Sequence, residues 1–168
     1  MYTAFNTDLQ QALATKDNRD LHVSAKGMPN HKRRIVQELK DLGVTRVGLL
    51  HGASRYLPSI VHADEHIGGV VYGQNLDGFV MLVATDRRII YLDKKPLFVN
   101  EDEITYDVVS GINYSHAGWG STVVLHTRVK DFKVRTFNER CAHNFSEYIE
   151  LRCLEQLKHE GHHDTITR

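Results

Sequence analysis

The chain has 168 residues, 41% hydrophobic and 25% charged, with 21 Lys and Arg against 21 Asp and Glu. That is the size and mix of one globular domain with room for an appended segment, and the zero net charge gives no general attraction to nucleic acid or an anionic membrane. No apolar run approaches the roughly 20 residues that span a bilayer, and MYTAFNTDLQQ lacks the pattern of a signal peptide, so the cytoplasm is the expected compartment.

In chain order, TDLQQALATK (7–16) reads as a short helix capped by Thr7, and the polar stretch 17–30, with Gly27 and Pro29, as a loop. HKRRIVQELKDLG follows, with Ile35, Val36, Leu39 and Leu42 at helical spacing and Gly43 at the expected stop. TRVGLLHGASRYLPSIVHADE reads as one broken helix. Gly48, Gly52 and Pro58 interrupt it, while Val47, Leu50, Ser54 and Leu57 fall on a common face.

From Ile67 the pattern changes. IGGVVYGQ and FVMLVATD are runs of β-formers on either side of the turn NLDG, and RIIYLDKK follows a tight turn at Thr85-Asp86-Arg87. KPLF reads as the start of a short strand, EITYDVVSGINYS as a strand or two with a bulge at Gly111, and HAGWGS as a turn. STVVLHTRV and FKVRTFN form a hairpin around Lys130-Asp131. About seven closely spaced strands predict an antiparallel barrel or sandwich.

The end is helical, with Asn138 the candidate cap of ERCAHNFSEYIELRCLEQLKHEG. At about 100° per residue, Cys141, Phe145, Tyr148, Ile149 and Cys153 form one apolar stripe with Leu157 near its edge. Leu151 and Leu154 make a second face, read as packing within the chain, with a second subunit as the other occupant. Cys141 and Cys153 lie roughly 18 Å apart along the helix axis, too far for a disulfide. They are expected as buried structural thiols.

Chemical candidates are few. HEGHH spells H-E-x-x-H, with His159 and His163 as ligands and Glu160 as general base. Gly161, however, costs about 1 kcal/mol relative to Ala inside a helix and is the natural stop. The closing DTITR offers no well-separated third ligand. His159, His162 and His163 are therefore at most adventitious metal ligands. His51, His62, His66, His116 and His126 are scattered over loops and strands. No Gly-x-Ser-x-Gly occurs, and IGGVV and AGWGS miss the phosphate-loop and dinucleotide patterns. No catalytic residue and no cofactor is assigned, and nothing interleaves basic and aromatic residues as a nucleic-acid platform would.

The stretch YLPSIVHADEHIGGVVYGQNLDGFVMLVATDRRIIYLDKK resembles the bacterial pleckstrin-homology (PH)-like domain of the YokE type. The likeness rests on Leu57 and Pro58, on Asp64 and Glu65 before the first strand, and on the hairpin Leu82 to Lys95. It continues through Ile104, Tyr106, Val109, Ile112 and Tyr114, Trp119 in a turn where the family often has an aromatic residue, and NFSEYI at the start of the closing helix. Residues 44 to 155 are covered. The resemblance implies an α+β fold: a PH-like antiparallel barrel or sandwich of about seven strands closed by a C-terminal helix. The chain then divides into a helical N-terminal extension (1–43), a PH-like domain (44–158) and a His-containing tail (159–168).

In the hairpin, Thr85 and Asp86 are expected to bond turn amides, and Arg87 and Arg88 to pair with carboxylates or face water. The role implied by the resemblance is a scaffold for binding or assembly without a shared catalytic site. PH domains that hold phosphoinositides carry basic residues around the first hairpin, where this chain has Gln74, Asn75 and Asp77. Lys94, Lys95, Lys32, Arg33 and Arg34 read as solvated charges. The expectation is a non-enzymatic binding or assembly module, homo-oligomeric, with an unidentified protein partner. Peripheral binding to anionic lipid is the alternative, and a small metal-dependent hydrolase using the histidines comes third.

Overall fold

The computed structural model describes the backbone of residues 30–163, with side chains as far as Gln156 together with Lys158. The expected helix at 7–16 and most of the loop after it lie outside the described residues. The chain falls into two units that adjoin in sequence between Arg34 and Ile35. In the first, residues 30–34 open helix α1 (30–41), and Arg34 Nη2 lies 3.3 Å from His31 Nδ1.

In the second unit, Ile35 and Leu39, one turn apart on α1, are fully buried. Gly43 follows the helix at φ +91°, the left-handed conformation that glycine adopts without a Cβ clash. The expected broken helix is two short helices, α2 (Arg46–Leu50) and α3 (Gly52–Tyr56), with a 3-10 turn at Leu57–Ser59. His51 stands extended between them and caps α3, its Nδ1 accepting from the Ala53 amide at 3.4 Å. That break resets the helical phase. Ser54 and Leu57 are buried while Val47 and Leu50 are exposed, so the common face read from the sequence does not form.

Seven strands follow: β1 (Ile67–Asn75), β2 (Gly78–Thr85), β3 (Ile89–Lys94), β4 (Val99–Ile104), β5 (Val109–His116), β6 (Ser121–Thr127) and β7 (Asp131–Thr136). They form one sheet in the order β4-β3-β2-β1-β7-β6-β5, with every pairing antiparallel. The first hairpin turns at Leu76-Asp77, where the Asp77 amide bonds Asn75 Oδ1 at 2.8 Å. Lys95 to Phe98, read as a strand start, is instead a turn closed by the Lys95 amide on the Phe98 carbonyl at 2.9 Å. Pro96 has no N–H to give a ladder. The bulge expected at Gly111 is present as a register shift between Val109 and Gly111.

β7 joins β1 through a single pair, Gln74 and Arg135. Gly73 permits that approach, since a Cβ there would lie 2.0 Å from the Arg135 carbonyl oxygen.

The central strands are buried on both faces. Alternate residues Val80, Leu82 and Ala84 meet Val123, Leu125, Val134 and Phe145 inside the barrel. Met81, Val83, Ile90 and Leu92 point the other way, onto Ile35, Leu39, Ala53 and Leu57. Two-sided burial is why FVMLVA and IIYL are continuous apolar runs rather than alternating ones.

Helix α4 (Glu139–His163) closes the barrel. Asn138 caps it as expected, Oδ1 accepting from the Cys141 amide at 3.1 Å. Of the predicted stripe, Cys141, Phe145 and Ile149 are buried and Tyr148 and Cys153 half-buried. Leu151 and Leu154 stand exposed, where the sequence reading expected them covered within the chain. The helix also runs past the expected stop at Gly161 to His163. One glycine costs about 1 kcal/mol, whereas a helix already nucleated gains a hydrogen bond with each added residue. Among the described residues no helix is long and apolar enough to cross a membrane.

Candidate functional site

The Thr-Asp-Arg-Arg hairpin forms a buried polar network. Thr85 Oγ1 accepts from the amides of Arg87 at 3.1 Å and Arg88 at 3.0 Å, and its hydroxyl lies 2.8 Å from Glu65 Oε1. Asp86 differs from expectation. Its Oδ1 accepts from the His66 amide at 3.0 Å, tying the turn to the residue before β1. The Arg88 guanidinium grips both oxygens of Glu65, donates to the Ile60 carbonyl at 3.0 Å and also meets Glu103. Arg87 pairs with Asp64 at 2.6 Å near the surface.

Burial alone would raise the Glu65 pKa; the bonds from Arg88, the His62 amide and Thr85 outweigh it and hold the carboxyl at about 2. Tyr106 donates to the Thr85 carbonyl, and burial pushes its phenol far above the usual range. Arg152 of α4 bonds the Asp86 carbonyl and lies over the Tyr106 ring. The network thus joins the segment before β1, the β2–β3 turn, β4 and α4. Every carboxylate in it already has a partner.

Among the described residues the histidines form no metal-holding group. His51 caps α3 and stacks on Phe79. His66 Nδ1 is 3.0 Å from Glu38, His116 is 3.2 Å from Ser121, and His126 is 2.9 Å from Asp131. The His62 amide donates to Glu65. Among the described residues no three His, Cys, Asp or Glu side chains are placed to hold a metal. The side chains of His159, His162 and His163 lie outside the described ones. Both cysteines are free; burial pushes Cys141 up to about 11 and raises Cys153.

The first hairpin carries no cation of its own, but the fold brings some beside it. A hollow of about 640 Å³ is lined by Asn75, Asp77, Tyr91, Lys130, Lys133 and Arg135, among others. Sequence reasoning missed these three basic residues because they arrive on the last hairpin, sixty residues or so downstream, and no local spacing announces the β1–β7 pairing. The charges are mixed. Asp77 and Asp131 line the same hollow, and Lys130 is held by Asp102 at 2.8 Å. Lys94 lies over the Tyr56 ring, and Lys95 pairs with Asp93 at 3.2 Å.

The two ends of the sheet differ. β4 carries Glu101, Asp102 and Glu103. β5, VSGINYSH, has no Lys, Arg, Asp, Glu or Pro, and among the described residues no strand lies on its outer side. The β5–β6 turn presents Trp119, which is 86% exposed.

A seven-strand antiparallel sheet closed by one C-terminal helix is the PH-like class of fold. The chain belongs to the bacterial PH domain family, whose model matches residues 61–150. The match names the family and does not single out the YokE type. A solved structure that the chain is similar to is a DUF1696 family protein with a pleckstrin-homology domain from Shewanella loihica PV-4. The two share 15% identity at a TM-score of 0.43, over 60% of this chain and 92% of that one. No curated protein matches the chain.

Proposed function

We propose that the protein is a non-enzymatic binding and assembly module that associates with a second copy of itself through the outer edge of β5. The observation that carries this reading is the contrast between the two sheet edges. An open edge strand is a template for another strand, and proteins normally blunt it with charge or proline. β4 has that protection and β5 lacks it. From Ile112 to His116 the strand keeps a regular register on β6, beyond the bulge, so its outer side can take a strand in turn. Trp119 at the end of the same hairpin adds a large exposed aromatic, the residue type most often found to dominate interface energy. A symmetric pairing of two β5 strands would satisfy both edges at once.

Mass and fluorescence test this. Light scattering should give particles of more than the 19.2 kDa chain mass. Trp119 is the single tryptophan, so its emission should move to the red on dilution as the interface opens. Ser115→Lys, which places like charges on the edge, should give monomers. A 19.2 kDa particle at every concentration, with emission unchanged on dilution, would sink the proposal.

A further inference from the structure

The seam between β1 and β7 carries a separate feature. The strands meet at Gln74 and Arg135 alone, and a hollow opens on each side of that pair. The one toward α4 has about 420 Å³, within the range of pockets that take small organic molecules. Its wall is aromatic, built from Tyr72, Phe79 and Phe137. Phe137 is 81% exposed, a large apolar ring left at the rim.

Most polar groups around the hollow are already engaged. The Tyr72 hydroxyl bonds Thr45 and Asn138, and Glu139 is turned toward Tyr114 at 3.4 Å and His116 at 3.9 Å. Arg135 and Gln74 line both hollows, and among the described residues the Arg135 guanidinium has no carboxylate partner. A planar guanidinium matches a carboxylate through two parallel N–H bonds. Glu139 on one side and Asp77 and Asp131 on the other limit the negative charge the seam tolerates.

We propose that this hollow binds a small monocarboxylate with an apolar body. The carboxylate sits on Arg135 beside Gln74, and the body lies against Phe79 and Phe137. A cationic amphiphile is repelled by Arg135, a small hydrophilic acid lacks the apolar contact, and a polyanion meets the flanking carboxylates.

Titration calorimetry on the full chain tests it with three probes: decanoate below its micelle concentration, decyltrimethylammonium and acetate. Decanoate should bind saturably at one site, and the other two should give no saturable heat. Arg135→Gln should weaken decanoate binding tenfold or more. Phe137→Ala should also weaken it, by an independent route. Both side chains are exposed, so each variant should keep the wild-type circular dichroism. Equal binding of decanoate and decyltrimethylammonium would overturn the proposal, as would unchanged decanoate affinity in Arg135→Gln or no decanoate heat at millimolar concentration. Retention on anionic phosphatidylglycerol vesicles that decanoate does not relieve would also overturn it, in favour of a membrane surface.

Discussion

Arg88 meets Glu65 side-on, Nε 3.0 Å from Oε1 and Nη2 3.1 Å from Oε2, with the Glu65 residue only 1% exposed. The pair clasps two segments 23 residues apart and sits where the polypeptide enters the sheet. A buried pair of this kind weakly stabilises as a whole, because both charges lose their water, but losing one partner strands the other.

Glu65→Ala should therefore cost about 3 kcal/mol, near the lower end for breaking a buried pair because Glu103 still reaches Arg88. Arg88→Met should cost as much or more, since it leaves the Glu65 carboxylate without its main donor. The double variant Glu65→Ala/Arg88→Met should be less destabilised than the sum of the singles. Urea unfolding of the four proteins gives the coupling directly; additive losses would show that the pair does not act as a unit.

The same carboxyl sets an acid limit. Its pKa is about 2 in the folded protein against an ordinary 4.5, so the folded state binds the proton less readily than the unfolded one. The resulting stability is fully present above pH about 4.5 and drains away as pH falls toward 2. The urea midpoint should drop across that window, and the drop should be smaller in Glu65→Gln. An identical acid profile in the variant would assign the loss to other groups.

Much of this architecture is legible in the sequence because its signals are local. NLDG, Thr85 in its turn, Gly111 and Asn138 as a cap each announce a local feature within a few residues, and the structure finds a turn, turn, bulge and cap there. The misses depend on what surrounds a segment. Val47 and Leu50 share a helical phase with Leu57 only if the helix is unbroken, and an extended His51 breaks it. Asp86 looks like a turn residue, yet its acceptor role goes to the His66 amide, twenty residues back. Arg135 could not be placed in any site, because only the closure of β7 onto β1 brings it to the first hairpin.

That closure is narrow enough to test at one atom. Gly73→Ala places a methyl 2.0 Å from the Arg135 carbonyl oxygen and 2.8 Å from its carbonyl carbon. These are backbone atoms, which cannot swing aside as the end of a long side chain can. The variant should lose about 1–3 kcal/mol as the seam is forced apart. Amide exchange should rise at Gln74 and Arg135 before it rises in β2 or β3. Unchanged exchange at both would show that the strands close without relying on the missing Cβ.

Asn138 links the helix to the rest of the fold through three bonds. Its Oδ1 holds the Cys141 amide at 3.1 Å, and Nδ2 reaches the Gly43 carbonyl at 2.9 Å and the Tyr72 hydroxyl at 3.0 Å. An N-cap replaced by Ala costs about 0.5–2 kcal/mol, and here the change also removes a donor from the turn after α1. Asn138→Ala should fall at the upper end of that range. Asn138→Asp keeps the acceptor and loses the donor, so it should recover the capping part only and be intermediate. Thermal unfolding at neutral pH orders the three proteins. If Asn138→Asp matched the wild type, capping alone would account for the residue, and its bonds to Gly43 and Tyr72 would contribute nothing measurable.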